Sequence, residues 1–234
     1  MNPPAKSKLV AITGGSGAGK SWLASQLHNL LGEKAGRLSL DSFYRDWSHL
    51  PPSRRDRVNF DDPEAIEWPL VERTLQLYAA GRPAGVPRYD FRTHCRTNGM
   101  ETSTPRPVML VEGLWLLLRP AVRRTFDLKI FIECPEKLRL LRRLARDKAE
   151  RGRSATGVRR QFTATVAPMH RRHVAPQAHW ADVVLHQPYS DGDIRQLHES
   201  LWRLLHSGSL LPAWMRETFR AELTALLKTK EKPA

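Results

Sequence analysis

Near its beginning the chain reads Leu9-Val10-Ala11-Ile12-Thr13-Gly14-Gly15-Ser16-Gly17-Ala18-Gly19-Lys20-Ser21, an apolar run that leads into a glycine-rich loop. Residues 14–21 fit the phosphate-binding pattern G-x-x-x-x-G-K-[ST] at every fixed position. The β-prone run before the loop predicts a strand, and apolar residues at 23, 24, 27, 30 and 31 predict a helix after it. An ordinary strand–turn–helix connection is the alternative, but strand, loop and helix in this order are the context the pattern needs. We therefore expect an α/β protein that binds a nucleoside triphosphate.

The loop supplies the first candidate nucleotide-binding residues. Glycines let backbone N–H groups turn toward phosphate oxygens, and the helix start adds unpaired N–H donors. Lys20 can reach the outer phosphates, and the Ser21 hydroxyl can bind Mg²⁺. The candidates are Gly14, Gly15, Ser16, Gly17, Ala18, Gly19, Lys20, Ser21 and Trp22.

Composition limits the remaining classes. The 234 residues suit one α/β domain with a small insert or tail. A net charge of +14 is compatible with a polyanion-binding protein. No zinc-finger spacing, helix-turn-helix signal or RNA-binding aromatic signature supports that class, so we expect the basic residues to serve polyphosphate substrates and solvated helix faces, with no specific nucleic-acid partner. Cys95 and Cys134 lie far apart and are expected to be free thiols.

The expected location is the cytoplasm. Residues 1–8 contain no apolar signal-peptide core. The longest apolar run, 108–118, is interrupted by Glu112 and Gly113 and falls short of the roughly 20 residues that span a bilayer. We therefore expect no membrane partner.

Strand and helix patterns alternate along the chain. Strands are expected at 9–13, 37–40, 107–111, 127–132 and 182–185. Helices are expected at 21–31, 63–80, 114–124, 135–149, from about 157 with an interruption at Pro168, 191–206 and 211–229. This order predicts a three-layer P-loop NTPase with a mostly parallel sheet. The expected division is a single P-loop domain at 1–207 and a C-terminal helical extension at 208–234.

A β-hairpin is expected to interrupt this alternation at about 85–104, with its turn at Asn98-Gly99. An antiparallel insert is not needed for the core of a parallel fold. It is therefore a candidate flap over a substrate, and His94 on it is a candidate substrate contact, although a lone histidine is more often structural.

Three oxygen-bearing side chains are expected to meet beyond the carboxyl ends of the strands, where α/β sheets bind ligands. These are Ser21, Asp41 and Glu112, and hard oxygen ligands of this kind suit Mg²⁺. The alternatives are a turn-forming role for Asp41, and a helix cap or salt bridge for Glu112.

Arginines form a second group. Arg139, Arg143 and Arg146 share one helix face, and Arg151 and Arg153 flank Gly152 on a predicted loop. Phosphoryl transfer needs positive charge around the moving group, so residues of about 143–161 are interpreted as a helical lid. A solvated basic face is the alternative.

The ordered set of motifs resembles the uridine–cytidine kinase family over residues 8–185. The matching segments are Asp41-Ser42-Phe43-Tyr44-Arg45, Asn59-Phe60-Asp61, Tyr89-Asp90-Phe91 with His94, Val111-Glu112-Gly113, Arg142-Arg143-Leu144-Ala145-Arg146-Asp147, Glu150-Arg151-Gly152-Arg153, Gln161-Phe162 and Ala181-Asp182. The resemblance implies transfer of the γ-phosphate of ATP or GTP to the 5′-hydroxyl of uridine or cytidine in pyrimidine salvage, with Mg²⁺ as cofactor. It also implies a homo-oligomer, a tetramer or a dimer.

The resemblance implies a role for each matching position. Asp41 would be the catalytic base, with Lys20 as the second catalytic residue, and Ser21, Asp41 and Glu112 would form the metal shell. Arg146 and Arg151 would bind the nucleotide phosphates. The implied substrate-binding residues are Tyr44, Asp61, Tyr89, Phe91, His94, Arg143, Arg153 and Gln161.

Departures from the family pattern leave alternatives open. His186-Gln187-Pro188-Tyr189-Ser190 replaces the family's turn near the donor base, so the preference for ATP or GTP is open. Arg88, Arg92 and Arg96 keep a phosphosugar acceptor possible, and another riboside or pantothenate is also an alternative. A GTPase-type switch protein would need N-K-x-D and D-x-x-G motifs, and neither occurs.

Overall fold

Five parallel strands form the central sheet, with the loop-bearing strand in the middle. The computed structural model describes residues 6–55, 58–207 and 210–228, without the side chains of Asn98, Glu150 and Arg151. The sheet strands are β1 (Lys8–Gly14), β2 (Ala35–Ser39), β5 (Val108–Gly113), β6 (Leu128–Glu133) and β7 (Val183–His186), and β3 (Ala84–Asp90) and β4 (Cys95–Ser103) form a separate antiparallel hairpin. The order is β2-β5-β1-β6-β7, with every neighbouring pair parallel.

Helices cover both faces of the sheet. They are α1 (Lys20–Leu31), α2 (Pro52–Arg55), α3 (Trp68–Ala79), α4 (Pro120–Arg123), α5 (Glu136–Arg151), α6 (Ala155–Gln161), α7 (Ala167–Met169), α8 (Asp191–Ser207) and α9 (Arg216–Lys228). Short 3₁₀ turns lie at 32–34, 40–43, 63–65, 175–180 and 213–215, and wider π-helical turns at 162–166 and 170–174. The arrangement confirms the predicted three-layer α/β fold with a mostly parallel sheet.

Two hydrophobic cores lie on opposite faces of the sheet, and strand β1 contributes residues to both. Successive side chains on a strand point to opposite faces. Val10 and Ile12 pack in one core with α1, α8 and α9, and Leu9 and Ala11 pack in the other with α3. Because β1 is buried on both sides, it places the glycine-rich loop at its carboxyl end on a rigid base.

The C-terminal helix α9 belongs to the first of these cores. Phe219, Leu223 and Leu227 are buried there together with residues of α1 and α8. Trp214, which precedes the helix, is 77% exposed, so it does not pack in this core.

The predicted turn of the hairpin is wrong. Residues 91–94 join the two strands, and His94 there adopts a left-handed backbone with φ of 55°. Gly99 has φ of 88° inside β4, where the pairing register shifts between Pro87 and Tyr89. A glycine with positive φ serves a bulge as well as a turn, which is why the Asn-Gly signal misplaced the connection.

Prolines explain two differences in helix boundaries. Residues 63–65 form a 3₁₀ turn capped by Asp62, and α3 begins only at Trp68 because Pro69 suits the first helical turn and not an interior. The helix predicted at 114–124 is limited to α4, with Pro120 as its first residue.

Two further boundaries concern the predicted lid. Helix α5 continues through Arg151 to a left-handed cap at Gly152, so only Arg153 lies on the loop. Pro168 does not interrupt the helical path, since π-helical turns on either side of α7 accommodate its missing donor. In the described ranges, no helix is long and apolar enough to cross a membrane.

Candidate active site

A single cavity lies beyond the carboxyl ends of β1, β2 and β5. It brings together most of the predicted site residues, from elements far apart in the sequence. Its lining residues are Ser16, Lys20, Ser21, Asp41, Tyr44, Phe60, Asp61, Phe91, His94, Glu112, Leu114, Arg143, Arg146, Arg153 and Gln161. This is the position at which open α/β sheets bind ligands.

The glycine-rich loop has a backbone that only glycine adopts easily. Gly14 has φ of 148°, and a Cβ there would lie 2.6 Å from the carbonyl oxygen of Ile132. Gly17 has φ of 80°, and a Cβ there would collide with the carbonyl oxygen of Arg139. The loop is therefore packed tightly between β6 and α5, which fixes the direction of its N–H groups.

Lys20 lies at the first position of α1, between the loop and the acidic residues. Its Nζ donates to the Gly15 carbonyl over 3.0 Å. Burial lowers the pKa of the Lys20 ammonium from its ordinary value, and the carboxylates of Glu112 and Asp41 oppose that shift. The ammonium thus faces both carboxylates across the cavity.

The two carboxylate-bearing segments are joined by Ser39. Its Oγ donates to Oε1 of Glu112 over 2.8 Å and accepts from the backbone N–H of Asp41 over 3.3 Å. Ser21 lines the same cavity from α1. The three predicted metal ligands are therefore a hydroxyl and two carboxylates facing one space, a donor set that suits Mg²⁺ when phosphate oxygens and waters complete it.

Aromatic rings form the wall nearest the hairpin. Tyr44 lies 5.7 Å from Phe60, 5.2 Å from Tyr89 and 6.1 Å from Phe91, measured between ring centroids. His94 stacks on Phe60 with centroids 4.3 Å apart. Tyr89 supports Tyr44 and Phe91 from outside the lining of the cavity, whereas the other four line it.

The three alternating arginines of the hairpin pair with protein carboxylates. The pairs are Arg88 with Glu101 (3.1 Å), Arg92 with Asp90 (3.8 Å) and Arg96 with Glu67 (2.6 Å). Arg96 also donates to the Tyr44 carbonyl over 2.9 Å and so attaches the hairpin to the segment after β2. These arginines do not line the cavity.

Arg143 connects the phosphate loop to Gln161 and Asp61, which line the same cavity. Its Nη1 donates to Ser16 Oγ and its Nη2 to Gln161 Oε1, each over 3.0 Å. Nη1 also lies 3.8 Å from Oδ1 of Asp61, and Arg153 donates to the same Gln161 oxygen over 3.1 Å. The guanidinium is almost fully buried, which makes its fixed planar donors a rigid bridge.

Asp61 is a buried carboxylate held beside this bridge. Burial raises the pKa of Asp61 from its ordinary value, while Arg143 and a hydrogen bond from Thr165 oppose the rise. Thr165 Oγ1 donates to Oδ2 of Asp61 over 3.3 Å. Asp61 therefore presents a carboxylate to the cavity, although removing its charged form from water is unfavourable.

The basic face of α5 is only partly solvated. Arg139 and Arg143 are buried, which excludes a purely solvated face for these two residues. Arg146 and Arg153 line the cavity, and the side chain of Arg151 lies outside the described part of the chain. Asp147, which the sequence interpretation gave no role, is fully buried among these arginines.

Several other positions differ from the sequence interpretation or were missed by it. Trp22 packs on Tyr189 with centroids 6.4 Å apart instead of lining the cavity. Cys95 and Cys134 are free, as predicted. The functional neighbours that the sequence did not single out are Ser39, Phe60, Leu114, Asp147 and Thr165. Of these five residues, only Phe60 and Asp147 lie within the motifs that match the family, so only these two could have been identified from the sequence.

Comparisons with known proteins identify a matching family and relatives of this chain. The model of the Phosphoribulokinase / Uridine kinase family matches residues 9–193. A protein named uridine kinase from Chloroflexus aggregans is 40% identical over 177 residues, which cover 75% of this chain and 85% of that protein. A uridine kinase from Alkaliphilus metalliredigens is 38% identical over 186 residues, covering 79% and 88% of the two chains.

Solved structures show the same fold at low identity. The phosphoribulokinase from Rhodobacter spheroides has a TM-score of 0.59 and 20% identity, covering 78% of this chain and 70% of that one. The D-glycerate 3-kinase from Cryptococcus neoformans has a TM-score of 0.58 and 15% identity, covering 81% and 89%. Helix α9 lies beyond the residues that the family model matches.

Proposed function

The chain belongs to the phosphoribulokinase/uridine kinase family and is an ATP-dependent kinase, and we propose that it transfers the γ-phosphate to the 5′-hydroxyl of uridine or cytidine. The products would be UMP or CMP and the nucleoside diphosphate. One observation carries the proposal: one cavity is lined by residues of the phosphate loop and also by a buried carboxylate and an aromatic wall. A triphosphate bound at the loop and a nucleoside bound at the aromatic wall would share this cavity, which Asp41 also lines.

Asp41 is the proposed catalytic base. It lies in the turn after β2, on the cavity side, together with Lys20 and Glu112. A carboxylate there can accept the proton of the attacking hydroxyl, as general base catalysis requires. The fixed hydrogen bond of its backbone to Ser39 limits its movement relative to Glu112.

Ser21, Asp41 and Glu112 are proposed to hold Mg²⁺. Bound to the donor phosphates, this ion would neutralise charge on the transferred group. Lys20 and Arg146 add positive charge around the same phosphates, and the N–H groups of residues 15–20 surround them. We propose that Arg151 adds a further contact from the last turn of α5.

Asp61 and Arg143 are proposed to bind the ribose hydroxyls. A buried carboxylate accepts hydrogen bonds strongly, and the adjacent guanidinium donates in a fixed plane. Tyr44, Phe91 and His94 would enclose the sugar and base, while Tyr89 supports them. Gln161, held by Arg143 and Arg153, would contribute to acceptor binding.

The hairpin arginines do not favour a phosphorylated acceptor. Arg88, Arg92 and Arg96 pair with carboxylates and do not line the cavity. We also propose that ATP or GTP serves as the donor and that the protein forms a dimer or tetramer, as the resemblance implies.

Product analysis tests the proposal. Wild-type protein is incubated with ATP, Mg²⁺ and uridine, and the products are separated by chromatography and identified by phosphorus NMR. We expect the 5′-monophosphate, and no phosphorylation of 5′-deoxyuridine as the matched control acceptor. Phosphorylation of 5′-deoxyuridine would overturn the assignment of the 5′-hydroxyl.

A further inference from the structure

We propose that Asp147 is a positioning residue that holds three cavity arginines in place and thereby sets the geometry of both the phosphate and the acceptor sites. This goes beyond the proposed function, because Asp147 itself does not line the cavity. Of the measurements described below, only kcat and KM for uridine rest on the proposed acceptor.

The side chain of Asp147 contacts all three guanidinium groups. Arg146 donates to its Oδ1 through Nε (2.9 Å) and Nη2 (2.8 Å). Nε of Arg143 lies 3.5 Å from Oδ2, and Nη1 of Arg153 lies 3.6 Å from the same atom. One carboxylate thus joins residues of α5 to the loop that follows it.

The backbone of Asp147 fixes the same loop. Its carbonyl oxygen accepts from the N–H of Gly152 at the helix cap and from the N–H of Arg153 over 3.1 Å. The point at which the chain leaves α5 and the direction of the Arg153 side chain are therefore set by one residue.

Burial makes the charge of Asp147 important. The carboxylate has 0% exposure, and the Arg143 side chain beside it is also almost inaccessible to solvent. Asp147 lies within 3.6 Å of all three guanidinium groups, so these positive charges are close together. Positive charges this close repel one another strongly where water does not screen them. Without the carboxylate, the guanidinium groups of Arg143, Arg146 and Arg153 would move apart.

Movement of these arginines would disturb the binding of both substrates. Arg143 and Arg153 both donate to Gln161 Oε1, and Arg143 also pairs with Asp61, so the acceptor side would lose its fixed donors. Arg146 faces Lys20 across the nucleotide side of the cavity. The effect of Asp147 is therefore on binding geometry at both ends.

Two variants test this role. Asp147→Asn removes the charge at nearly constant volume, and Asp147→Glu keeps the charge with a longer side chain. Asp127→Asn is the control, because the Asp127 carboxylate pairs with Lys8 and accepts from the Leu9 N–H at the amino end of β1, away from the cavity at the carboxyl ends of the strands. Each variant is measured for Tm, the Kd of a fluorescent ATP analogue, and kcat and KM for uridine.

For Asp147→Asn we expect a KM for uridine and a Kd for the nucleotide each raised by about tenfold, and values for Asp147→Glu between that variant and wild type. Asp127→Asn should change neither affinity. Unchanged affinities in Asp147→Asn, or equal changes in Asp127→Asn, would overturn the proposal.

The two proposals fail in different ways. If wild-type protein does not phosphorylate uridine, the proposed acceptor is wrong, and the nucleotide Kd of Asp147→Asn against Asp127→Asn still decides the role of Asp147. If Asp147→Asn does not fold, Asp147→Glu decides the question: affinities weaker than those of wild type support the positioning role, and wild-type affinities with a lowered Tm contradict it.

Discussion

Arg143 donates to the hydroxyl of Ser16 over 3.0 Å, so that α5 is tied directly to the phosphate loop. The same guanidinium donates to Gln161 and pairs with Asp61. Donor and acceptor ends of the cavity therefore share one rigid side chain. A substitution that displaces Arg143 is therefore expected to weaken binding of both the nucleotide and the acceptor.

Arg143→Lys should lower kcat/KM for uridine by about tenfold or more, because an ammonium cannot donate to Ser16 and Gln161 in the fixed plane of a guanidinium. Arg142→Lys is the control, since Arg142 donates to Gln187 and does not line the cavity. Steady-state kinetics with uridine and ATP varied separately make the comparison. Equal kinetics for the two variants would contradict the bridging role.

Asp41→Asn should lower kcat by roughly 10²–10⁴-fold while leaving the affinity for ATP largely intact, because the amide cannot accept the hydroxyl proton. Asp46→Asn serves as the control on the same segment, where the carboxylate accepts from Ser48 and Arg96 outside the cavity. Near-normal turnover in Asp41→Asn would show that another group is the base.

His170 should make the protein less stable in mild acid. Burial, with Arg139 and Lys20 nearby, lowers the pKa of His170 to about 4 from an ordinary 6.5. Between these values the unfolded chain binds the proton and the folded chain does not, so the free energy of unfolding falls as the pH drops, by at most about 1.4 kcal/mol per pH unit.

Thermal unfolding between pH 7.5 and 4.5 measures this contribution. His170→Asn should flatten the fall in Tm with pH, whereas His49→Asn, at an exposed position, should leave the slope unchanged. Parallel slopes for His170→Asn and wild type would show that His170 is not the group responsible.

Leu223→Ala should destabilise the protein by about 2–5 kcal/mol, because Leu223 is fully buried in the core that α9 shares with α1 and α8. Leu141→Ala is the control, since Leu141 is 60% exposed. Urea unfolding gives both values. A change below about 0.5 kcal/mol for Leu223→Ala would mean that α9 is not packed on the domain.

Local patterns predicted the sheet and the donor half of the site. The apolar run before Gly14 and the helix period after Ser21 fix the loop, and Asp41 and Glu112 follow strand patterns closely enough to be placed at the same edge. All of these signals lie within a few residues of the element that they describe, which is why they could be read without the structure.

Features that depend on distant packing could not be predicted. The sequence left a solvated basic face as an alternative for the arginines of α5 and gave Asp147 no role, because the burial of Arg143 and Asp147 depends on how the chain packs and not on their spacing. Thr165 donates to Asp61, which lies 104 residues away in the sequence, so this contact has no local signal either. The turn at His94 was missed because a left-handed histidine has no sequence signal as strong as Asn98-Gly99.

The acceptor identity is tested most directly by one panel. Release of ADP from ATP is measured with uridine, cytidine, adenosine, pantothenate and ribose 5-phosphate at equal concentrations. We expect kcat/KM for uridine or cytidine to exceed that for each of the other acceptors by about tenfold or more. Turnover on another acceptor, with none on either pyrimidine nucleoside, would contradict it.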